Sequence, residues 1–254
     1  MILISCRRDF VSDRSFASEN LVRNYPNLKN VDLFSDLDLD NVMAQAASKH
    51  VLVLVHGFRS PIENVAASYD TLLAKLISSG LRAHPHYDLV LGYTWPGFTT
   101  RLGFFPAVPF ASRAGGFFRE FLTRLCRSAL TVDVQTHSLG ARVALQALSA
   151  TEDVFLDNLL LSAPAVDNES LEPAQEFHEA LENCRRCVVY HSAKDKVLKL
   201  GFTFASLDRA LGLKGPQNPP IIEAQCPSVF VVDCSAVVAD HGGYRRAGAY
   251  YAHW

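Results

Sequence analysis

The sequence predicts an α/β fold in which a mostly parallel, doubly wound sheet is flanked by helices. Short apolar runs rich in β-branched residues alternate with longer stretches of helical periodicity along the 254 residues. Several of these runs are apolar throughout, which is typical of strands buried on both faces of a parallel sheet. The predicted strands are Ile2–Ser5, Val51–Val55, Leu89–Tyr93, Val132–Thr136, Asn158–Ser162, Cys187–His191 and Val229–Val232.

The composition is that of a globular protein. Charged residues make up 20% of the chain, hydrophobic residues 49%, and the formal net charge is −2, which together exclude a disordered chain. We expect a single domain over residues 1–254, because a chain of this length can bury one large core. The near-neutral charge and the absence of a long basic run give no support to a nucleic-acid partner.

No transmembrane segment is predicted. The least charged stretch, Leu89–Ser112, holds Arg101 as its only charge, but several prolines and glycines interrupt it. A spanning helix needs about 20 apolar residues in continuous helical geometry. At the N-terminus, Arg7 and Arg8 follow a short apolar run, which is the reverse of the order in a signal peptide. We therefore expect a cytoplasmic protein, with unconventional export to the periplasm as the alternative.

One helix is predicted with both of its ends. Ser60 suits the N-cap, Pro61 the first helical position, and Glu63 completes a capping box. Apolar residues within 65–76 recur on one face, and Gly80 is expected to end the helix.

The segment 132–145 contains a candidate catalytic serine. A predicted strand runs directly into Ser138, and a helical pattern follows it, which is the context of a nucleophile elbow. The residues two before and two after such a serine must be small, because strand and helix approach closely there. Gly140 meets this condition, whereas Thr136 stands where a glycine is usual. The alternative is that Ser138 serves only as a helix N-cap.

Six short segments together resemble the α/β-hydrolase superfamily. The similarity is strongest to a bacterial family of serine α/β-hydrolases grouped as a domain of unknown function. The segments occur in the same order as in that family, and the six together indicate the family more specifically than any single segment. They are 51–58, 93–97, 136–140, 191–198, 212–216 and 240–244.

The resemblance implies a Ser-Asp-His triad and an oxyanion hole. In α/β-hydrolases the backbone N–H groups of the oxyanion hole come from the residue after the nucleophile and from the loop that follows an earlier strand. Here these residues would be Leu139 and Phe58. His56 is interpreted as a structural residue of that loop rather than as a catalyst.

The general base is expected at His241. The superfamily order is Ser, acid, His, so the base should be one of the histidines that follow Ser138. His241 follows the last predicted strand in a glycine-containing loop that can reach the top of the sheet. The other candidates lie in a helical pattern, at a strand end or beside the C-terminus: His178, His191 and His253.

The acid is expected at Asp195, four residues beyond the strand that ends at His191. This position matches the resembling family. The alternative role of Asp195 is a surface ion pair with the flanking lysines, which would contribute little. Asp167 is the rival acid, because some α/β-hydrolases place the acid after the earlier strand that here ends at Ser162.

Phenylalanines in the segment 97–118 are candidate pocket residues. The segment follows a strand and so begins at the carboxyl edge of the sheet, where ligands bind. Prolines and glycines around these residues predict an irregular segment rather than a core helix, and core packing is the alternative role. The candidates are Phe98, Phe104, Phe105 and Phe110. The segment 201–227 is a second candidate rim, and no insertion is long enough for a large cap domain.

The chemistry expected from these residues is hydrolysis of a carboxylic ester through an acyl-enzyme intermediate. We expect a small-molecule substrate with a small to medium apolar acyl group. Thioesterase, lipase and amidase activities use the same triad and stay open. The rival from another class is a non-catalytic binding protein, because fold alone does not prove activity. The triad requires no metal or organic cofactor. The sequence does not fix the oligomeric state.

A C-x-x-C pair, Cys184 and Cys187, is not predicted to bind zinc. Zinc would need a second cysteine pair or suitably spaced histidines, and neither follows. We interpret the six cysteines as reduced structural thiols, with a redox role as the alternative.

Overall fold

A nine-stranded sheet organises the molecule. The computed structural model describes residues 1–80, 86–98, 104–149, 151, 153–202 and 208–254. The strands are β1 (Ile2–Arg7), β2 (Phe16–Asn24), β3 (Ser35–Leu37), β4 (His50–Val55), β5 (Leu89–Thr94), β6 (Thr131–His137), β7 (Leu156–Ser162), β8 (Cys184–His191) and β9 (Val229–Asp233). Their order across the sheet is β3-β2-β1-β5-β4-β6-β7-β8-β9.

The pairing is mostly parallel, as the apolar runs predict. Seven strands, β1-β5-β4-β6-β7-β8-β9 in their order across the sheet, pair in parallel with their neighbours. The predicted strands are all present. Strands β2 and β3, which form an antiparallel edge beside β1, were not predicted. Their residues are mostly partly or fully exposed and polar, so they lack the apolar signal that marks the central strands.

Six α-helices lie within the described residues. They are α1 (Leu39–Ala46), α2 (Ile62–Ser78), α3 (Phe104–Ser128), α4 (Gly140–Leu148), α5 (Leu211–Lys214) and α6 (Pro219–Gln225). Short 3₁₀ segments cover Arg8–Phe10, Glu179–Asn183, Gly243–Arg245 and Gly248–His253, and one π turn covers Leu198–Phe202. Of the described helices, none has both the length and the apolar character needed to cross a membrane.

Helix α2 begins later than its capping motif predicts. Pro61 is the N-cap residue with an extended ψ of 160°, and no side chain caps the helix. The hydroxyl of Ser60 instead donates to the carbonyl of Phe58 at 3.3 Å. The predicted end is confirmed, because Gly80 follows the helix with a φ of +79°.

Helix α3 contradicts the expected irregular segment around the phenylalanines. It begins at Phe104 and contains both Pro106 and Pro109. Proline is tolerated in a first turn, because those N–H groups have no partner within the helix. Pro109 does remove one helical hydrogen bond. The buried side chains on the inner face, Phe118 and Phe121 among them, offset that loss by packing against the sheet.

All six cysteines are free thiols, and most are buried. The hydrogen bond from Cys184, together with burial, raises the pKa of Cys187 well above its usual value. A thiol of this kind is a poor nucleophile at neutral pH. Within the described residues, no cluster of three or more His, Cys, Asp or Glu side chains could hold a metal ion.

Candidate active site

Ser138 lies at a sharp turn between strand β6 and helix α4. Its φ of +55° is in the left-handed region, which non-glycine residues rarely adopt and which stores strain at functional turns. Gly140 lets the turn pack against the end of β4, because a Cβ there would lie 2.5 Å from the carbonyl oxygen of His56. Ser138 itself is only 6% exposed.

Thr136 fits into the elbow, but its buried hydroxyl lacks a hydrogen-bond partner in the described part of the chain. The residue pairs with Val55 on one side and with Leu161 on the other, and it is fully buried. Its Oγ1 has no hydrogen-bond partner within the described residues. The fold therefore accommodates the extra atoms at this position, while leaving one polar atom unsatisfied.

The structure brings Asp195 and His241 together. The Nδ1 of His241 lies 2.6 Å from Oδ2 of Asp195. The other carboxylate oxygen accepts hydrogen bonds from the backbone N–H groups of Val197 and Leu198, both at 3.0 Å. Asp195 is only 1% exposed, so it is not the surface ion pair considered as its alternative role. Its carboxylate is held in one orientation with three donors around it.

Asp167, the rival acid, has no described contact with His241. Its backbone pairs with Ala210, and its buried Oδ1 has no hydrogen-bond partner within the described residues. Burial and the carboxylates of Asp208 and Glu169 raise its pKa.

His137 joins the elbow to the loop that carries His241. Its Nε2 lies 2.7 Å from the backbone carbonyl oxygen of His241, and the two rings are 4.7 Å apart. Because a carbonyl only accepts, Nε2 of His137 carries the proton. Burial, His241 and Arg245 lower the pKa of His137 well below its usual value, so the ring is neutral. Sequence reasoning missed this residue, because nothing in the motif marks the position before the serine.

The hydroxyl of Ser138 and the imidazole of His241 are not hydrogen-bonded in the described part of the chain. The loop of Phe58 is close to the serine, since a Cβ on Gly57 would lie 2.8 Å from Cβ of Ser138. The N–H groups of Phe58 and Leu139 have no acceptor among the described residues. Neither donor is therefore engaged by another group of the described residues.

His56 orients the peptide between Gly57 and Phe58. Its Nε2 accepts from the backbone N–H of Trp95 and from the Arg7 guanidinium, each at 3.1 Å. The proton is therefore on Nδ1, which donates to the Gly57 carbonyl at 2.7 Å. Because C=O and N–H point in opposite directions across a trans peptide, this bond aims the N–H of Phe58 away from His56. These bonds agree with the structural role predicted for His56.

Arg7 holds the His56 ring in place through its hydrogen bond to Nε2. It is fully buried, and its Nη2 also donates to the carbonyl of Ser60 at 2.6 Å. Burial lowers its pKa to about 10, which still leaves it charged at neutral pH. Burial, followed by this neighbouring charge, lowers the pKa of His56 well below its usual value. Sequence reasoning missed this role of Arg7, because no local pattern marks a buried arginine at the end of β1.

The candidate pocket phenylalanines separate into two groups. Phe104 contacts both Phe58 and Phe202 edge-on, with ring centroids 5.7 and 5.9 Å apart. Phe98 and Phe110 instead pack together at 4.8 Å, and Phe110 stacks on Phe16 of strand β2. The side chain of Phe105 lies outside the described residues, as do residues 99–103 and 203–207 of the two candidate rim segments.

A cavity of about 510 Å³ opens beside these elements. It is bounded by residues 55–60, by helix α2 and by the segment 241–250. We call it the Arg245 cavity. His241, His137 and Phe58 are all part of its wall.

A family comparison identifies the fold family. Residues 35–242 match the model of a family described as "Alpha/beta hydrolase of unknown function (DUF900)". The chain belongs to this α/β-hydrolase family. Membership in DUF900 supports a hydrolase and agrees with the mostly parallel sheet. No curated protein matches the sequence.

Solved structures with a similar fold share little sequence with this DUF900 chain. A hydrolase of the α/β superfamily from Xanthomonas campestris is 17% identical over 80% of this chain and 96% of its own, with a TM-score of 0.43. A structure titled esterase PE8 is 17% identical over 82% and 93%, with a TM-score of 0.45. An esterase from Pyrococcus furiosus is 13% identical over 100% and 92%, with a TM-score of 0.43.

Proposed function

We propose that this protein is a serine hydrolase that cleaves carboxylic esters, with Ser138 as nucleophile, His241 as general base and Asp195 as the acid that orients it. The observation that carries the proposal is the 2.6 Å contact between His241 and a buried Asp195, on a loop bound by His137, the residue before a serine with positive φ. Buried carboxylates that hold a histidine beside a strained serine are the arrangement that activates a hydroxyl.

In the first half-reaction, Nε2 of His241 takes the proton of Ser138 while Oγ forms a bond to the acyl carbon. The carbonyl electron pair moves onto oxygen, which the N–H groups of Phe58 and Leu139 stabilise as an oxyanion. Asp195 stabilises the imidazolium through Nδ1. The intermediate then expels the alcohol, which receives the proton from His241, and an acyl-enzyme is left on Ser138.

In the second half-reaction, His241 takes a proton from water as the water oxygen attacks the acyl carbon. The tetrahedral intermediate collapses, Oγ of Ser138 leaves and regains the proton, and the carboxylic acid is released. The bond between Ser138 and His241 is expected to form once substrate is bound, because catalytic hydrogen bonds often tighten only in the substrate complex.

The aromatic side chains near Phe58 support a substrate with a small to medium apolar acyl group. Phe104 and Phe202 present ring edges beside the loop that supplies the oxyanion N–H. Aromatic rings provide large apolar contact areas, which favour binding of an acyl chain. The same triad would also serve a thioester or an amide.

Labelling with a fluorophosphonate probe, followed by mass spectrometry of the modified peptide, tests this proposal. We expect rapid labelling on Ser138 and none in Ser138→Ala. Hydrolysis of a series of 4-nitrophenyl esters from acetate to decanoate then defines the acyl length. If the folded wild-type protein is neither labelled nor able to turn over a short ester, the proposal is wrong and the binding-protein alternative is favoured.

A further inference from the structure

The Arg245 cavity has an unusual balance of charge. Three arginines, Arg59, Arg245 and Arg246, and two histidines, His137 and His241, are part of its wall. No Asp or Glu belongs to that wall within the described residues. The remaining polar side chains are neutral: His56, Ser60, Asn64, Ser68, Tyr69, Thr71, Gln135, Tyr244 and Tyr250. A negatively charged ligand would therefore meet positive charge and hydrogen-bond donors without meeting a carboxylate.

Arg245 is the arginine whose charge is least compensated. Its side chain is half-buried, and its guanidinium donates to the neutral hydroxyl of Ser68. No ion pair of Arg245 occurs among the described residues. Burial, and after it the charge of Arg246, lowers the pKa of Arg245. A buried guanidinium without an anionic partner is unfavourable, so an anion bound beside it would be stabilised.

The nearest carboxylate is already engaged by the neighbouring arginine. Both oxygens of Asp240 bind Nη2 of Arg246, at 2.8 and 2.7 Å. Asp240 also accepts from the backbone N–H of Gly242 at 3.0 Å. Arg246 is thus paired with Asp240, whereas Arg245, also part of the cavity wall, forms no ion pair among the described residues.

Of the candidate catalytic groups, His241 is part of the cavity wall, whereas Ser138 and Asp195 are not. The positive charge of Arg245 is close enough to His137 to contribute to the lowered pKa of that ring. His137 in turn packs 4.7 Å from the ring of His241. Gly57 is also part of the wall, and a Cβ on it would lie 2.8 Å from Cβ of Ser138. A molecule with its ester at Ser138 can therefore extend a second group toward Arg245.

We propose that Arg245 binds an anionic oxygen group of the substrate, such as a carboxylate, so that this hydrolase prefers esters that carry a negative charge near the scissile bond. The inference rests on the proposed function and names its substrate class. The apolar rings of Phe58 and Phe104 and the cationic cavity would contact different parts of the same molecule.

Pairs of esters that differ only in charge test the preference and locate the anion. In the first pair the charge is on the acid side: 4-nitrophenyl hydrogen glutarate against 4-nitrophenyl methyl glutarate. In the second pair it is on the alcohol side: 4-carboxyphenyl butyrate against its methyl ester. We expect kcat/KM of the charged ester to exceed that of its neutral partner by about tenfold in one pair, as one charge-assisted hydrogen bond would give.

Arginine variants assign the effect to one residue. Arg245→Gln should reduce the ratio of charged to neutral kcat/KM to about one, because only the charged ester loses a partner. Arg245→Lys keeps the charge and should retain a preference. Arg127→Gln is the matched control. Arg127 lies at the end of helix α3, pairs with Asp153 and is not part of the cavity wall. It should leave the ratio unchanged.

A measurement on the wild-type protein covers the case in which Arg245→Gln does not fold. Glutarate should inhibit hydrolysis of a neutral ester competitively, whereas its neutral analogue glutaramide should inhibit at least about tenfold more weakly. Turnover of neutral esters with no charge preference and no inhibition by glutarate would overturn the inference and leave the proposed function standing. Absence of both turnover and Ser138 labelling would overturn the proposed function itself.

Discussion

At the residue scale, burial controls which side chains around Ser138 carry charge. His56 and His137 are held neutral, each donating one ring N–H to a backbone carbonyl. The carboxylate of Asp195 is held by two backbone N–H groups and by Nδ1 of His241. The site therefore combines a buried carboxylate that orients the proposed base with neutral rings that fix the surrounding backbone.

The proposed triad predicts unequal effects for its members. Ser138→Ala and His241→Ala should each lower kcat by about 10⁶, and Asp195→Asn by about 10⁴, by the precedent of subtilisin. The ester found most active with the wild-type protein is the substrate for these assays. Near-wild-type kcat in Ser138→Ala would exclude this serine as the nucleophile, and circular dichroism of each variant confirms that it is folded.

Two amide substitutions of His56 are expected to differ in their effect on kcat. Asn places a donor near Nδ1, so His56→Asn can still bond the Gly57 carbonyl, whereas Gln reaches the position of Nε2. We expect kcat to fall by about 10²–10³ in His56→Gln, as for loss of an oxyanion donor, and less in His56→Asn, with KM nearly unchanged in both. Equal losses in both variants would indicate a packing role only.

The buried neutral histidines predict that stability falls in mild acid. Because the pKa values of His56 and His137 are lowered in the folded state, the unfolded chain binds more protons below its own histidine pKa of about 6.5. Their stabilising contribution is present above that pH and is lost as the pH falls. Urea unfolding at pH 7.5, 6.5 and 5.5 should show a slope of up to about 2.7 kcal/mol per pH unit below 6.5. His137→Gln should have a shallower slope, and an unchanged slope would contradict the assignment.

At the element scale, helices α3 and α4 pack closely at one glycine. A Cβ on Gly115 would lie 2.7 Å from Cβ of Gln146 and 3.1 Å from the carbonyl of Val143. The next residue, Gly116, has no atom within 4 Å of that position. Helix α3 therefore needs a glycine at position 115 but not at position 116.

Two alanine substitutions measure this difference. Gly115→Ala should lower the free energy of unfolding by about 1–3 kcal/mol through overpacking. Gly116→Ala should raise it by about 0.5–1 kcal/mol, because alanine is the better helix former. Urea denaturation of both variants and the wild type gives the comparison. A gain of stability in Gly115→Ala would show that the two helices can move apart at little cost.

At the scale of the whole molecule, strand order assembles the site. Val55 of β4 is paired with Thr136 of β6, so the Phe58 loop and Ser138 leave the sheet side by side. His191 of β8 is paired with Asp233 of β9, so the loops that carry Asp195 and His241 also leave adjacent strands. Residues more than 40 positions apart in the chain are thereby placed within hydrogen-bonding distance.

A substitution at Gly140 tests the close approach of helix α4 to the end of β4. Gly140→Ala would place a Cβ against the backbone of Val55 and His56, where no flexible side chain can yield. We expect a loss of about 1–3 kcal/mol in the free energy of unfolding and slower fluorophosphonate labelling of Ser138. Gly248→Ala is the matched control, because its Cβ would have no neighbour within 4 Å. Similar labelling rates in both variants would show that the elbow does not need this close approach.

Much of the fold could be predicted because its signals are local. The central strands are apolar throughout, and the edge strands β2 and β3 escaped prediction because they are short or partly exposed and polar. Helix α3 was missed at its start, because local rules for proline take no account of the packing that its inner face gains. The pairing of Asp195 with His241 follows the order of the resembling family, although their roles stay a proposal.

By itself, the sequence determined the strand and helix alternation, the turn at Ser138 and the small set of residues from which a triad could be drawn. These depend on patterns within about 20 residues, where side-chain type and backbone preference act directly. The tertiary structure alone decided that Arg7 supports His56, that His137 binds the His241 loop and that Arg245 faces a cavity free of described carboxylates. Such contacts join distant segments, and their energies depend on burial and strand order, which no local pattern contains.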